Sequence, residues 1–188
     1  MDIIYLGHSS FRINFKSASV VTDPFSKESV GLKFPKVQAD FVTVSHDHSD
    51  HNQVQNVEGS RKVLVGPGEY DIQGVSVVGV SSFHDDAKGE ERGKNTIFVF
   101  ESEDLTIAHL GDLGHDLNEK QLSAIGEVNI LMIPVGGVYT IDPQKASEVA
   151  RIIEPNVIIP MHFKAPGMSK DFDGLSEVDQ FTNLMGLR

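Results

Sequence analysis

The 188-residue chain contains no cysteine. Disulfides and thiolate metal sites are therefore excluded, and any metal must be held by histidine nitrogen and carboxylate oxygen. Basic residues are scarce as well: 16 Lys and Arg face 27 Asp and Glu, a formal net charge of -11. Such a chain repels polyanions, which argues against a nucleic-acid partner, although a locally positive pocket can still admit a small anion. No apolar run approaches the roughly 18 residues that span a bilayer, so no membrane partner is expected. The opening residues MDIIYLGHSS have neither the basic stretch nor the long apolar core of a signal peptide, and a cytoplasmic protein is expected. Low-complexity tracts, linkers and fixed-period repeats are missing too. With 39% hydrophobic residues a chain of this length can bury one sizeable core, so a single domain over residues 1–188 is expected. The oligomeric state stays open, a homo-oligomer included.

What is present is a series of short runs rich in Val, Ile and Phe between Gly, Asp, Asn and Pro: DIIYL, SFRINF, ASVVTDP, DFVTVS, KVLVG, GVSVVGV, NTIFVFE, LTIAHLGD, NILMIPV and NVIIP. Each reads as a strand. The early and middle runs follow one another through tight turns, as antiparallel pairing allows, and the later ones alternate with helical segments. The clearest helix starts at Asp142 as N-cap with Pro143 in its first turn, carries Ala146, Val149, Ala150 and Ile153 at helical spacing, and ends before Pro155. A second is expected over residues 116–126, and part of the tail from Asp173 to Leu187 should be helical. The class is α/β and strand-rich.

Residues 45–51 read SHDHSDH, three of the eight histidines in seven residues. They leave the end of the DFVTVS strand, where open α/β sheets collect ligands. His46 and His48 lie two apart, so on an extended backbone both can address one ion. Asp50 and His51 diverge from that direction and suit a neighbouring ion. Chance occurrence of His-x-His-x-Asp-His in a chain of this composition is on the order of one in a thousand, so the pattern is specific. A donor set of imidazoles and carboxylates leans towards zinc, with manganese, iron or nickel compatible. Two such ions can share a water acidified to a hydroxide nucleophile and polarise a carbonyl or phosphoryl oxygen.

The stretch resembles the signature of the metallo-β-lactamase superfamily. That resemblance implies a metallo-β-lactamase-like four-layer αβ/βα sandwich with its metals on one edge. It also implies three further ligands in order, each after an apolar run: His84 in SSFHDD, Asp112 in HLGDLGH and His162 in IPMHF. By the same resemblance one ion takes His46, His48 and His84, and the other Asp50, His51 and His162, with Asp112 between them. Asp50 and Asp112 are the implied catalytic carboxylates. GHSSF, TDP, PVGGVYT and IPMHF look most like the small branch of metal-dependent hydrolases similar to ascorbate-6-phosphate lactonase. The implied activity is hydrolysis of a small molecule with an ester, lactone, thioester or phosphodiester bond. An iron-dependent redox protein, similar to the sulfur dioxygenases, and a non-catalytic metal-binding domain are the competing readings.

Weaker signals surround this set. His8 could touch substrate or support a ligand, and Asp23 before Pro24 could hold a ligand histidine or merely form a turn. Gly136 and Gly137 could bring backbone close to substrate, with Tyr139 and Thr140 beside them, or simply turn the chain. Lys164 could meet an anionic substrate group, though an exposed lysine is the commoner outcome. His109 reads as structural and His115 as a solvent-facing helix start. The charged segment from His84 to Asn95 is either a solvated loop or a mobile flap bringing Arg92 or Lys94 over the metals. GPGEYDIQG lacks the Gly-Lys-Ser/Thr ending of a phosphate loop.

Overall fold

The computed structural model describes residues 1–186. The strands of the first half are β1 (Asp2–Gly7), β2 (Ser10–Asn14), β3 (Ser19–Thr22), β4 (Val37–Gln38), β5 (Phe41–Val44), β6 (Val57–Glu58) and β7 (Lys62–Val65). Those of the second half are β8 (Gly68–Ile72), β9 (Val75–Phe83), β10 (Lys94–Ser102), β11 (Leu105–His109), β12 (Ile130–Pro134) and β13 (Val157–Met161). The helices are α1 (Lys27–Val30), α2 (Glu119–Ile125), α3 (Pro143–Ile153) and α4 (Val178–Leu184). One sheet has the order β1-β2-β3-β5-β7 and the other β13-β12-β11-β10-β9-β8, while β4 and β6 form a separate pair.

Strand β10 shows why these residues stack as layers. Its side chains alternate, so Phe98 and Phe100 face the first sheet while Ile97 and Val99 face the helices. Between the sheets, Phe11, Ile13, Val20 and Phe41 meet Val75, Val77, Phe98, Phe100, Ile107 and Met132. On the far side of the second sheet, Leu131 and Ile133 join Ile97 and Val99 against Ile125 of α2, Ala146, Val149 and Ala150 of α3, and Phe181 of α4. Both faces of that sheet are thus buried, and each such side chain contributes about 1.5–3 kcal/mol. The outer layer over the first sheet is thin: Val21, Val42 and Val44 are covered by Val37, Ala39 and Val57 around the β4–β6 pair. The α/β sandwich expected from the sequence is present, with little helix on that face.

All ten apolar runs are strands. The sequence reading passed over β4 and β6, each two residues long, and the edge strand β8, where GEYDI alternates between half-exposed and exposed positions until the buried Ile72. Pairing also differs from expectation in the first half, because β3–β5 and β5–β7 are parallel. Helix α3 is capped by Asp142, whose carboxylate accepts the Lys145 amide at 2.8 Å, and α2 opens with a reciprocal capping box between Asn118 and Gln121. The tail is helical only from Val178. Leu175 instead sits in a turn and buries against Phe25, Val30 and Phe172, and Leu187 lies outside the described residues.

Two parallel groups, β3-β5-β7 and β11-β12-β13, direct their carboxyl ends to one edge of the sandwich, the end at which such sheets present loops to a ligand. Phe98 is fully buried at the centre of the sheet interface. Phe98→Ala should cost about 3–5 kcal/mol of unfolding free energy by denaturant titration, whereas Val65→Ala, at a position 59% exposed on edge strand β7, should change it by less than about 0.5 kcal/mol.

Candidate metal centre

Six of the strands ending at that edge are followed by a polar side chain of the cluster. His8 follows β1, Asp23 follows β3, the Ser45–His51 turn follows β5, His84 follows β9, Asp112 follows β11 and His162 follows β13. The expected residues His46, His48, Asp50, His51, His84, Asp112 and His162 are brought together, and His8 and Asp23 join them. Asp112 is the focus. Its Oδ2 lies 3.1 Å from His162 Nε2, 3.3 Å from His84 Nε2, 3.3 Å from His51 Nε2 and 3.9 Å from His46 Nε2. Three groups have donor atoms close enough for one ion: His46, His48 and His84; His8, Asp50, His51 and His162; and Asp23, His46 and His51, the last sharing its two histidines with the others.

The donors also pass a test of fit. His46 Nε2, His51 Nε2 and Asp112 Oδ1 are buried without a hydrogen-bond partner. Buried polar atoms are otherwise almost always satisfied, and a cation is the partner that lone pairs of both kinds can share.

The surroundings fix how each group points. Asp23 is fully buried and accepts the Ser45 amide at 2.8 Å and the Ser45 hydroxyl at 2.6 Å. Its Oδ2 lies 2.9 Å from His51 Nδ1, which assigns the proton to Nδ1 and leaves Nε2 to face the cluster. His8 Nε2 stands 3.2 Å from Asp50 Oδ2. Asn95 was missed by sequence reasoning because nothing in NTIFVFE marks it; buried beside the cluster, it donates to the Leu110 carbonyl and Ser82 hydroxyl and accepts the Asp112 amide. His109 lies away from the cluster, with Nε2 2.8 Å from the Ser9 carbonyl. His115 accepts the Phe83 amide.

His8, Asp23 and His162 all have positive φ, between 40° and 53°. Such backbone costs of order 1–3 kcal/mol per residue and persists where the surroundings impose it. Here the His162 amide donates to the His8 carbonyl at 3.1 Å, tying the two sheets together at the cluster. Gly136 packs against that junction: a Cβ there would stand 2.0 Å from the His162 carbonyl oxygen, so no side chain fits. Gly137, at φ 68°, turns the chain so that Tyr139 rather than glycine backbone reaches the cavity. Lys164 is not brought to the cluster; its ammonium is paired with Asp173 above a different surface depression.

The segment expected to be either a solvated loop or a flap is tied down. Asp85 accepts the amides of Gly89 at 2.7 Å, Glu91 at 3.1 Å and Arg92 at 2.7 Å. A cavity of about 240 Å³ opens over the cluster, bounded by His48, Asp50, His84, Asp112 and His162 below and by Arg92, Tyr139 and Phe172 on its sides.

Electrostatics follow from this packing. Burial acts against the Asp112 carboxylate, but His162 and His51 overcome it and hold the group well below the usual range. Burial likewise opposes charge on His51, yet Asp112 and Asp50 raise its pKa well above the ordinary value of 6.5. Burial and the neighbouring imidazoles lower His8 to about 4 and His46 to about 3.

With the geometry described, relatives can be considered. The family model of the β-lactamase superfamily domain matches residues 2–162, and the chain belongs to that superfamily. It is 27% identical to a UPF0173 metal-dependent hydrolase of Methanopyrus kandleri over 87% of this chain and 84% of that protein. A crystal structure from Thermotoga maritima, described as a Zn-dependent hydrolase of the metallo-β-lactamase superfamily, is 40% identical with a TM-score of 0.77. The match covers 97% of this chain and 84% of that one. The diiron β-hydroxylase CmlA of Streptomyces venezuelae shares the fold alone, at 12% identity and TM-score 0.63 over 85% of this chain and 44% of that one.

A cation held by His51 Nε2 would compete directly with a proton there. Because the pKa of that group is raised in the metal-free protein, metal binding near pH 7 should release protons and apparent affinity should climb with pH until that raised pKa is passed. Calorimetry in buffers of different ionisation enthalpy measures the release, and an affinity independent of pH from 6 to 8 would contradict it.

Proposed function

We propose that this chain is a metal-dependent hydrolase of the cytoplasm, acting as one domain on a small molecule with an ester, lactone, thioester or phosphodiester bond. The observation that carries the reading is the buried Asp112 carboxylate ringed by imidazoles whose Nε2 atoms include two without hydrogen-bond partners, at the floor of a cavity. The ligand assignment is His46, His48 and His84 for one ion, Asp50, His51 and His162 for the other, with Asp112 shared. The all-nitrogen-and-oxygen donor set favours zinc, and manganese, iron and nickel are compatible. Divalent ions held there supply an acidified water and a Lewis acid for the substrate oxygen.

The chain's own groups do the rest. Asp23 holds the His51 ring in the tautomer that leaves Nε2 free, a support that usually matters nearly as much as the ligand itself. Asp50 is 20% exposed and opens on the cavity, so it is the carboxylate able to take a proton from water and return it to the leaving group. His8 limits the rotation of Asp50 through Nε2. Tyr139 and Phe172 wall the cavity and reduce water access to the bond being cleaved.

Asp112→Ala and His84→Ala should each lose metal together with hydrolysis, by at least roughly 100-fold, in metal analysis paired with a panel of activated esters, lactones, thioesters and phosphodiesters. Full metal content and full activity in both variants would sink the assignment. Bound iron with oxygen consumption, and no hydrolysis across the panel, would instead favour redox chemistry. Asp23→Asn, with every proposed ligand retained, should weaken metal binding by roughly 10- to 100-fold in competition with a chromogenic chelator.

A further inference from the structure

Arg92 is the cationic side chain in the wall of the cavity above the cluster, in a chain whose net charge is -11. Its placement is built rather than incidental. The Arg92 amide is held by Asp85, which also gathers the amides of Gly89 and Glu91, so the loop is pinned immediately beside His84. The guanidinium carbon lies 5.0 Å from the centroid of the Tyr139 ring, and Nη2 donates to the Val138 carbonyl at 3.4 Å. Val138 is itself a β-branched residue at φ 60°, backbone that such residues rarely adopt, and that turn presents its carbonyl to Arg92 and its neighbour's ring beneath it.

Only one side-chain N–H of Arg92 is engaged in this way, and no carboxylate pairs with it among the described residues. A guanidinium carries five donors in a planar fork that suits a carboxylate or phosphate. Stacking on Tyr139 leaves the edge of that fork available while restricting its rotamers, so little further entropy is lost on binding. The one wall carboxylate outside the cluster, Asp171, is exposed to solvent, where its field is screened. On the other side of His48, a second cavity of about 440 Å³ is lined by Arg92 again with Lys94, Val65 and Pro67, room for the other half of a cleaved molecule.

From this geometry we infer that the substrate carries an anionic oxygen group, a carboxylate or phosphate, separate from the bond that is cleaved, and that Arg92 binds it. The inference rests on the hydrolase reading above and narrows its substrate class. Arg92 is then a specificity residue: it anchors one end of the substrate so that the scissile bond lies over the floor of the cavity.

The test compares mono-p-nitrophenyl glutarate with p-nitrophenyl pentanoate, acyl groups of equal chain length that differ in a terminal carboxylate. The metal-loaded protein should prefer the glutarate by roughly 10- to 100-fold in kcat/KM, the range expected for a charge-assisted pair. In Arg92→Ala the ratio should fall towards one, and Arg92→Lys should keep part of it because an ammonium supplies charge without the fork. No preference in the parent protein, or an unchanged ratio in Arg92→Ala, overturns the inference. If neither ester is hydrolysed while metal is bound, the hydrolase reading is decided by the full panel of lactones, thioesters and phosphodiesters instead. Calorimetric titration of glutarate and of 3-phosphonopropanoate into both metal-loaded proteins then decides on Arg92. At least roughly tenfold weaker binding to Arg92→Ala supports the site, the better ligand identifies the oxyanion, and equal binding to both proteins overturns it.

Discussion

Everything at the functional edge is arranged around one buried carboxylate. Asp112 is 1% exposed, and a negative charge so placed is costly unless other charges or oriented donors answer it. Here the answer comes from four imidazoles on three separate loops, together with an Asn95 side chain that captures the Asp112 amide. The result is an interior that favours positive charge although the protein as a whole is acidic. Protons on His51 meet that demand in part when no cation does, which links the state of the cluster to pH without any further device.

The cluster is expensive in backbone terms, and the surroundings offset that cost. Three of its contributors sit at positive φ, and the chain holds them there through contacts that leave little choice: Asp23 by Ser45 and His51, His8 and His162 by each other's backbone. Gly136 belongs to the same logic, since its missing side chain is what lets the β12 loop pass so close to the His162 carbonyl. Strain at residues that build and support the cluster is consistent with a site whose geometry is set before any ligand arrives.

Much of this was legible in the residues. The short runs rich in Val, Ile and Phe identified ten strands; in the second sheet burial on both faces demands continuous apolar residues, as β10 illustrates with Ile97 and Phe98 pointing opposite ways. SHDHSDH stood out because histidine is rarely spent so densely. What escaped notice was local in space but not in sequence. Strand β8 has too few apolar residues to announce itself, and Asn95 looks like the polar start of a strand. Asp85 reads as one more charge in a charged loop, yet its three amide contacts decide that the loop is ordered. Lys164 misled because two residues of separation on a strand end do not guarantee a shared direction once the chain turns at His162.

The pairing of His8 with His162 has a mechanical side. His8, Asp50 and His51 hang from the first sheet, and His84, Asp112 and His162 from the second, so a cation held between them would also rivet the two sheets at one margin. Sheet packing elsewhere is mainly apolar and non-directional. At this margin sliding would pull donor atoms apart. Alignment of the sandwich and occupancy of the cluster would then be one equilibrium seen from two ends, with ion affinity a gauge of how well the two halves of the molecule are registered.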